Sequence, residues 1–331
     1  AGNCCQITMQ AQFKARSDRA DQIAKGTKEI FDQGVATIAL MATKTRGHVN
    51  APEPKIVNLR NKSFGDYPTL AITTVPHESD LLCLFLHGIG GNRTNWNAQM
   101  VALAPYCKVA ALDLRGYGRS ALGSSQTTID DYCNDILRVK DFLGARRVIL
   151  CGLSYGAWIA TSFAVRYPAK LSGLVLSSGC TGMSEADIGE REAFRLNRQA
   201  PLNAGQTPSD FAPNIVDLIA GPNASESTRD TLLCSMQAIP SATYADALHC
   251  FSSPTERFDF RNFSMPVLLM TGEYDRLASS NEIKSVAKRI FHTSQRPCVR
   301  FEVIKGAGHV CNLEAPGPFN AVLTEFASQI I

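Results

Sequence analysis

The 331-residue chain predicts an α/β fold: a mostly parallel central sheet flanked by helices, with an inserted helical lid and an N-terminal helical extension. Three observations predict it. From residue 81 onward, short apolar runs alternate with stretches of 3.6-residue periodicity, the pattern of strands buried on both faces and joined by crossover helices. Between 181 and 254 that alternation gives way to helical, loop-rich sequence, which reads as a lid over the sheet. Residues 1–50 form an appendage ahead of the first strand, so the division is extension 1–50, core 51–180 with 255–331, and lid 181–254.

In chain order, Ile23, Ile30, Phe31, Ile38 and Met41 recur near a helical period, with Ser17 as N-cap. Such an apolar stripe must bury against the core, the lid or a second subunit, which makes the extension the candidate contact of a homodimer. "TRGHVNAPEP" at 45–54 breaks the helix. Ile56 to Leu59 and Thr69 to Thr74 are short strand candidates, and "LLCLFL" (81–86) and "VAALDL" (109–114) are buried strands. Residues 129–143 carry helical spacing closed by Gly144, and "RVILCG" (147–152) starts another strand. "YGAWIATSFAVRYP" is helical up to Pro168; 171–179, 266–272 and 299–306 are the remaining strands, and 316–331 the last helix.

Composition narrows the function. Hydrophobic residues make up 45% of the chain, enough for a sizeable core. The 33 basic and 30 acidic residues are scattered, so no charge block marks a nucleic-acid or membrane surface. No apolar stretch approaches the ~18 residues of a bilayer span. The 11 cysteines show no C-x-x-C spacing, which argues for reduced structural thiols and against a metal site. Sequons begin at Asn61, Asn92, Asn223 and Asn262, but a glycan on Asn92 would obstruct the site described next, so they are read as unused and the protein as cytoplasmic.

"CGLSYGAWIA" (151–160) places Ser154 between two glycines, with a strand before and a helix after. That is the setting of a nucleophile elbow, where Gly152 and Gly156 leave room for a tight turn that lifts the hydroxyl clear of the chain. A serine hydroxyl needs a general base, itself held by an acid. Of the histidines that follow, His309 lies in the glycine-rich loop "KGAGHVCNLEAP" between the last strand and the last helix; His249 falls in the lid and His292 at a helix end. Asp275, directly after the strand at 266–272, is the acid, with Glu273 as competing carboxylate. The oxyanion of acyl transfer needs backbone donors. Tyr155 N–H is one; Ile89 N–H, in "LFLHGIGGNRTNW", is the second, with Gly88 as the alternative. The same loop lacks the third glycine of a dinucleotide fingerprint. Trp96, just beyond it, is a candidate for the pocket rim, whereas Trp158 is read as helix packing. Arg191, Arg195 and Arg198 share a helical face in the lid and would suit a substrate carboxylate.

"LHGIGG", "DLRGYGRS", "GLSYG", "GEYDRLAS" and "GAGHVCNLEAP", in that order over residues 55–331, resemble the α/β-hydrolase superfamily. "GLSYGAWIA" and "GHVCNLEAPGPFN" are most similar to the branch of 3-oxoadipate enol-lactonases and related carboxylester hydrolases. The resemblance implies a serine hydrolase with Ser154, Asp275 and His309 as triad, Ile89 and Tyr155 amides as oxyanion hole, a cap over the pocket, and no cofactor. Its substrate would be a small ester or lactone. An amide hydrolase, a carbon–carbon (meta-cleavage product) hydrolase and a hydrolase-derived ligand receptor are the alternatives; Val310, where meta-cleavage hydrolases often carry an aromatic residue, favours ester or lactone. Residues 1–50 have no counterpart in the family.

Overall fold

In the computed structural model, residues 53–59, 67–295 and 298–331 are described. The helix expected over 17–41, and with it the dimer contact, lies outside them. Eight strands form one sheet in the order β1-β2-β4-β3-β5-β6-β7-β8. They are β1 Lys55–Leu59, β2 Leu70–Val75, β3 Leu81–Leu86, β4 Lys108–Asp113, β5 Arg147–Leu153, β6 Leu171–Ser177, β7 Val267–Gly272 and β8 Val299–Ile304. The sheet is parallel from β4 through β8, while β2 runs antiparallel to both β1 and β4. The connections on either side of β2, ten residues before it and five after it, fall short of the dozen or so that a parallel crossover needs, whereas the later strands are joined through helices.

The helices of the core are α1 Asn97–Leu103, α2 Ile129–Phe142 and α3 Tyr155–Arg166. Four more, α4 Ile188–Asn203, α5 Pro208–Ile219, α6 Glu226–Gln237 and α7 Ser241–Ser252, stand between β6 and β7. The chain closes with α8 Ser280–Thr293, the single turn α9 Cys311–Glu314 and α10 Pro316–Ser328. Thr128 caps α2 by accepting from Asp131 N–H while Asp131 reaches back to the Thr128 N–H, a reciprocal cap that starts the helix where its apolar period begins.

Successive strand residues face opposite sides of the sheet. Leu82, Leu84, Leu86, Val148 and Leu150 pack with α2, α3 and α8; Cys83, Phe85, Ile149 and Cys151 pack with α1 and α10. The expected strands at 171–179 and 299–306 each run two residues too long. Ser178 (φ 50°) and Gly306 (φ 74°) enter the left-handed region and end them. No helix among the described residues is long and apolar enough to cross a membrane.

After β3 the chain winds to β4 on one side, then returns to β5 on the other. The loops leaving β3 and β5 therefore part in opposite directions, and a crevice opens at the carboxyl end of the sheet.

Candidate active site

Ser154 sits in that crevice, on the turn between β5 and α3, with φ 53° and ψ −112°. This backbone conformation costs a serine about 1–3 kcal/mol, and the surroundings enforce it. Ser154 N–H donates to Ser177 O at 2.8 Å, and its carbonyl accepts from Ala157 and Trp158. A Cβ on Gly152 would lie 2.2 Å from Gly156 O, and one on Gly156 would lie 2.4 Å from Leu86 O. Both glycines are thus required by close backbone crossings.

Two further loops converge on this serine. His309 Nε2 is 2.8 Å from Ser154 Oγ, and His309 Nδ1 is 3.0 Å from each carboxylate oxygen of Asp275. Asp275 Oδ1 also accepts from the N–H groups of Leu277 and Ala278, both at 2.9 Å, and Thr271 Oγ1 is 3.1 Å from Oδ2. Burial alone would raise the Asp275 carboxyl. The His309 ring and the two amides outweigh it and hold the carboxyl below its ordinary value. His309 N–H donates to Ile219 O, at the end of α5.

The loop after β3 is held from below. His87 is buried; its Nδ1 is 2.8 Å from Gly88 O, and its Nε2 accepts from Leu114 N–H at 3.1 Å. Since Nε2 accepts, Nδ1 carries the proton and donates. Gly91 N–H donates to the same Gly88 carbonyl. No peptide bond among the described residues is cis, so fixing Gly88 O turns the Ile89 N–H the opposite way. Tyr155 opens α3, so its N–H has no acceptor within that helix.

Above Ser154 lies a cavity of about 260 Å³ bordered by Ile89, Tyr155 and His309 from the core and by residues of α4 to α7. Its wall is mainly apolar, with Phe194, Ile215, Leu218, Met236, Tyr244 and Phe251 prominent. Tyr155 and Phe251 (5.6 Å between centroids) and Phe251 and Phe194 (5.7 Å) meet edge to face. Two charged side chains join the wall, Arg198 and Glu282. The Arg198 guanidinium is 5.7 Å from the Phe194 ring and makes no ion pair among the described residues.

Ser154, Tyr155, Ile89 and His309 line one cavity, and Asp275 stands behind His309. Other candidates lie elsewhere. Trp96 does not border the cavity: it is 1% exposed, stacked on Phe85 at 4.9 Å and packed near Phe319. Its apolar area is better buried between β3 and α10 than at a wet rim. Arg191 is turned away, donating to the carbonyls of Ser184, Ala186 and Pro254. Arg195 pairs with Glu192 one turn back on α4. Of the three arginines on that face, Arg198 alone borders the cavity. Glu273 is exposed and bound to Lys305 and the Gly306 N–H, and His249 and His292 are exposed. Trp158 is buried in α3, donating to Ser184 Oγ.

Phe194, Tyr244, Phe251 and Glu282 went unforeseen. For the rings a signal existed: Phe194 with Arg198, and Tyr244 with Leu248 and Phe251, recur at helical spacing and share a face. Spacing alone does not say which face meets a cavity.

Comparison with known proteins agrees with this architecture. The chain is 24% identical over 264 residues to 3-oxoadipate enol-lactonase 1 of Acinetobacter baylyi, covering 79% of this chain and 94% of that protein. It is 28% identical over 253 residues to the pimeloyl-[acyl-carrier protein] methyl ester esterase of Edwardsiella ictaluri, covering 74% and 92%. Among solved structures, a thermophilic esterase from Thermogutta terrifontis superposes with a TM-score of 0.70 at 23% identity, covering 83% of this chain and 99% of that one. The sequence profile of the alpha/beta hydrolase family matches residues 83–322. On that match, together with the sheet order and the site at its carboxyl edge, the chain belongs to the alpha/beta hydrolase family and is a hydrolase.

Proposed function

We propose that the protein hydrolyses carboxylic esters or lactones through an acyl-enzyme on Ser154. The observation that carries this reading is the continuous hydrogen-bonded line from Ser154 Oγ through His309 to Asp275, at 2.8 and 3.0 Å, opening on an apolar cavity. Ser154 Oγ attacks the carbonyl carbon as its proton passes to His309 Nε2. The tetrahedral oxyanion is met by the N–H groups of Ile89 and Tyr155, each worth about 3–4 kcal/mol of transition-state stabilisation. His309 returns the proton to the leaving oxygen, which departs as an alcohol, or stays attached when the substrate is a lactone. Water then attacks the acyl carbonyl, its proton goes to Nε2, and collapse releases the acid and restores the serine hydroxyl. Asp275 stays ionised and holds the imidazole with Nδ1 protonated.

The four helices between β6 and β7 act as the lid, within the stretch 181–254, and shape the substrate. Their apolar wall suits a hydrocarbon acyl or alkyl group. Arg198, a cation in that wall without an ion-pair partner among the described residues, suits an anionic group remote from the scissile carbonyl. The names of the relatives, a lactonase and a methyl ester esterase, support both bond types.

The test is capture by a fluorophosphonate, read by intact mass and peptide mapping, beside Ser154→Ala and His309→Ala. One adduct on Ser154, absent from both variants, is expected, with turnover of short-chain esters or lactones. A folded protein that takes no adduct and turns over nothing would overturn the reading in favour of stoichiometric ligand binding.

A further inference from the structure

Three consecutive N–H groups of the His309 loop are held by side chain or backbone from elsewhere. Gly308 N–H donates to Glu314 Oε2 at 2.9 Å, His309 N–H to Ile219 O at 2.8 Å, and Val310 N–H to Glu314 Oε1 at 3.2 Å. The same Glu314 Oε2 accepts from Gly221 N–H at 2.8 Å. Gly221 follows α5, and Ile215, Leu218 and Ile219 of α5 line the cavity. Near that junction Asn223 Nδ2 donates to Gly306 O at 3.3 Å, and Arg276, next to Asp275, donates to the carbonyls of Asp217 and Ala220. One half-buried carboxylate therefore ties both flanks of His309 to the end of a helix that touches the cavity. Charge-assisted bonds of this kind are about twice as strong as neutral ones.

We infer that Glu314 is a positioning residue: it sets the backbone of His309 and couples it to α5, so that a displacement of α5 moves the imidazole relative to Ser154. Glu314 borders neither the cavity nor the reacting atoms. It acts through His309, and the inference rests on His309 being the general base. The crossing leaves no slack. A Cβ on Gly221 would lie 2.6 Å from Gly308 N and 2.8 Å from Glu314 Oε2, and one on Gly308 would lie 2.4 Å from Gly221 N. Gly221→Ala consequently wedges the same junction apart without altering the carboxylate.

The experiment measures the rate of fluorophosphonate capture at Ser154, kcat and KM on a short-chain ester, and Tm, for the full chain and for Glu314→Ala, Glu314→Gln and Gly221→Ala. Glu256→Gln, which breaks an ion pair with Arg166 away from the cavity, is the control for stability alone. A misplacement near 1 Å at a catalytic group costs on the order of 10²-fold. Glu314→Ala and Gly221→Ala should therefore lower capture rate and kcat by about 10- to 100-fold, with KM within about twofold. Glu314→Gln keeps one acceptor oxygen and should recover part of the loss; with Gly221→Ala it carries the test should the alanine variant fail to fold. Folded variants that capture the probe at the wild-type rate, or whose losses follow Tm as the control does, overturn the inference. A wild-type chain that takes no probe overturns the triad reading instead.

Discussion

His87 offers a prediction that can be worked through in numbers. Its ring is buried beneath the loop that carries Ile89. Burial pushes the imidazole down from 6.5 to about 4, against the Gly88 carbonyl and Asp113, which favour the cation. Only the neutral ring can make both bonds, because protonated Nε2 would face the Leu114 N–H donor to donor. In the unfolded chain the ring titrates near 6.5, so below that pH the unfolded chain binds the extra proton and stability falls. The contribution of the neutral ring is complete above pH 6.5 and is lost as pH falls toward 4. The gap of the two values amounts to about 3.4 kcal/mol at its limit, with about 2 kcal/mol gone by pH 5. Urea unfolding of wild type and His87→Asn between pH 7.5 and 5 isolates the ring from the other titrating groups, since asparagine retains a donor for Gly88 O but cannot titrate. The stability advantage of wild type should shrink by about 2 kcal/mol over that interval. Parallel curves would refute the reasoning and with it the claim that a neutral His87 holds the Gly88 carbonyl.

Replacing Asp275 by Asn leaves the shape of the site but removes the charge that fixes the Nδ1-protonated ring; kcat on any ester should fall by roughly 10³- to 10⁴-fold with little change in KM, checked by steady-state kinetics. Gly156→Ala would set a methyl 2.4 Å from Leu86 O and 2.7 Å from His87 O; because both are backbone atoms, the variant should lose about 3 kcal/mol of stability by denaturation, the upper end of the usual overpacking cost. For Arg198→Ala, kcat/KM should drop about 10-fold or more for esters with an anionic tail and hold within about twofold for neutral esters of equal length. Equal losses on both would assign Arg198 a packing role through Phe194.

Much of the geometry of the candidate site was legible because elbows and loop positions are written locally. Ser154 needed only its two glycines, a strand before it and a helix after it. Loop context was enough to choose His309 over His249 and His292, and to prefer Asp275, and the geometry brings those residues together. Position in a loop did not suffice for Trp96, since an aromatic ring close to the loop after β3 can turn inward as readily as outward, and here Phe85 and Phe319 receive it. Nor could helical spacing rank Arg191, Arg195 and Arg198. Which of three arginines on one face reaches a cavity depends on the carbonyls and carboxylates within reach, and Arg191 and Arg195 found theirs first.

The sequence by itself determined the order of strands and helices, the elbow at Ser154 and the chain order serine, aspartate, histidine, because periodicity, turn chemistry and the needs of a close backbone turn act over a few neighbouring residues. The tertiary structure alone decided what meets across the chain. It set His309 against Ser154 over 155 residues of separation. It brought Gly221 onto Glu314 across 93 residues. It also selected the faces of α4 to α7 that line the cavity. Such contacts arise where separate segments cross in space, and no local pattern encodes a crossing: it follows from the packing of the whole sheet and its helices.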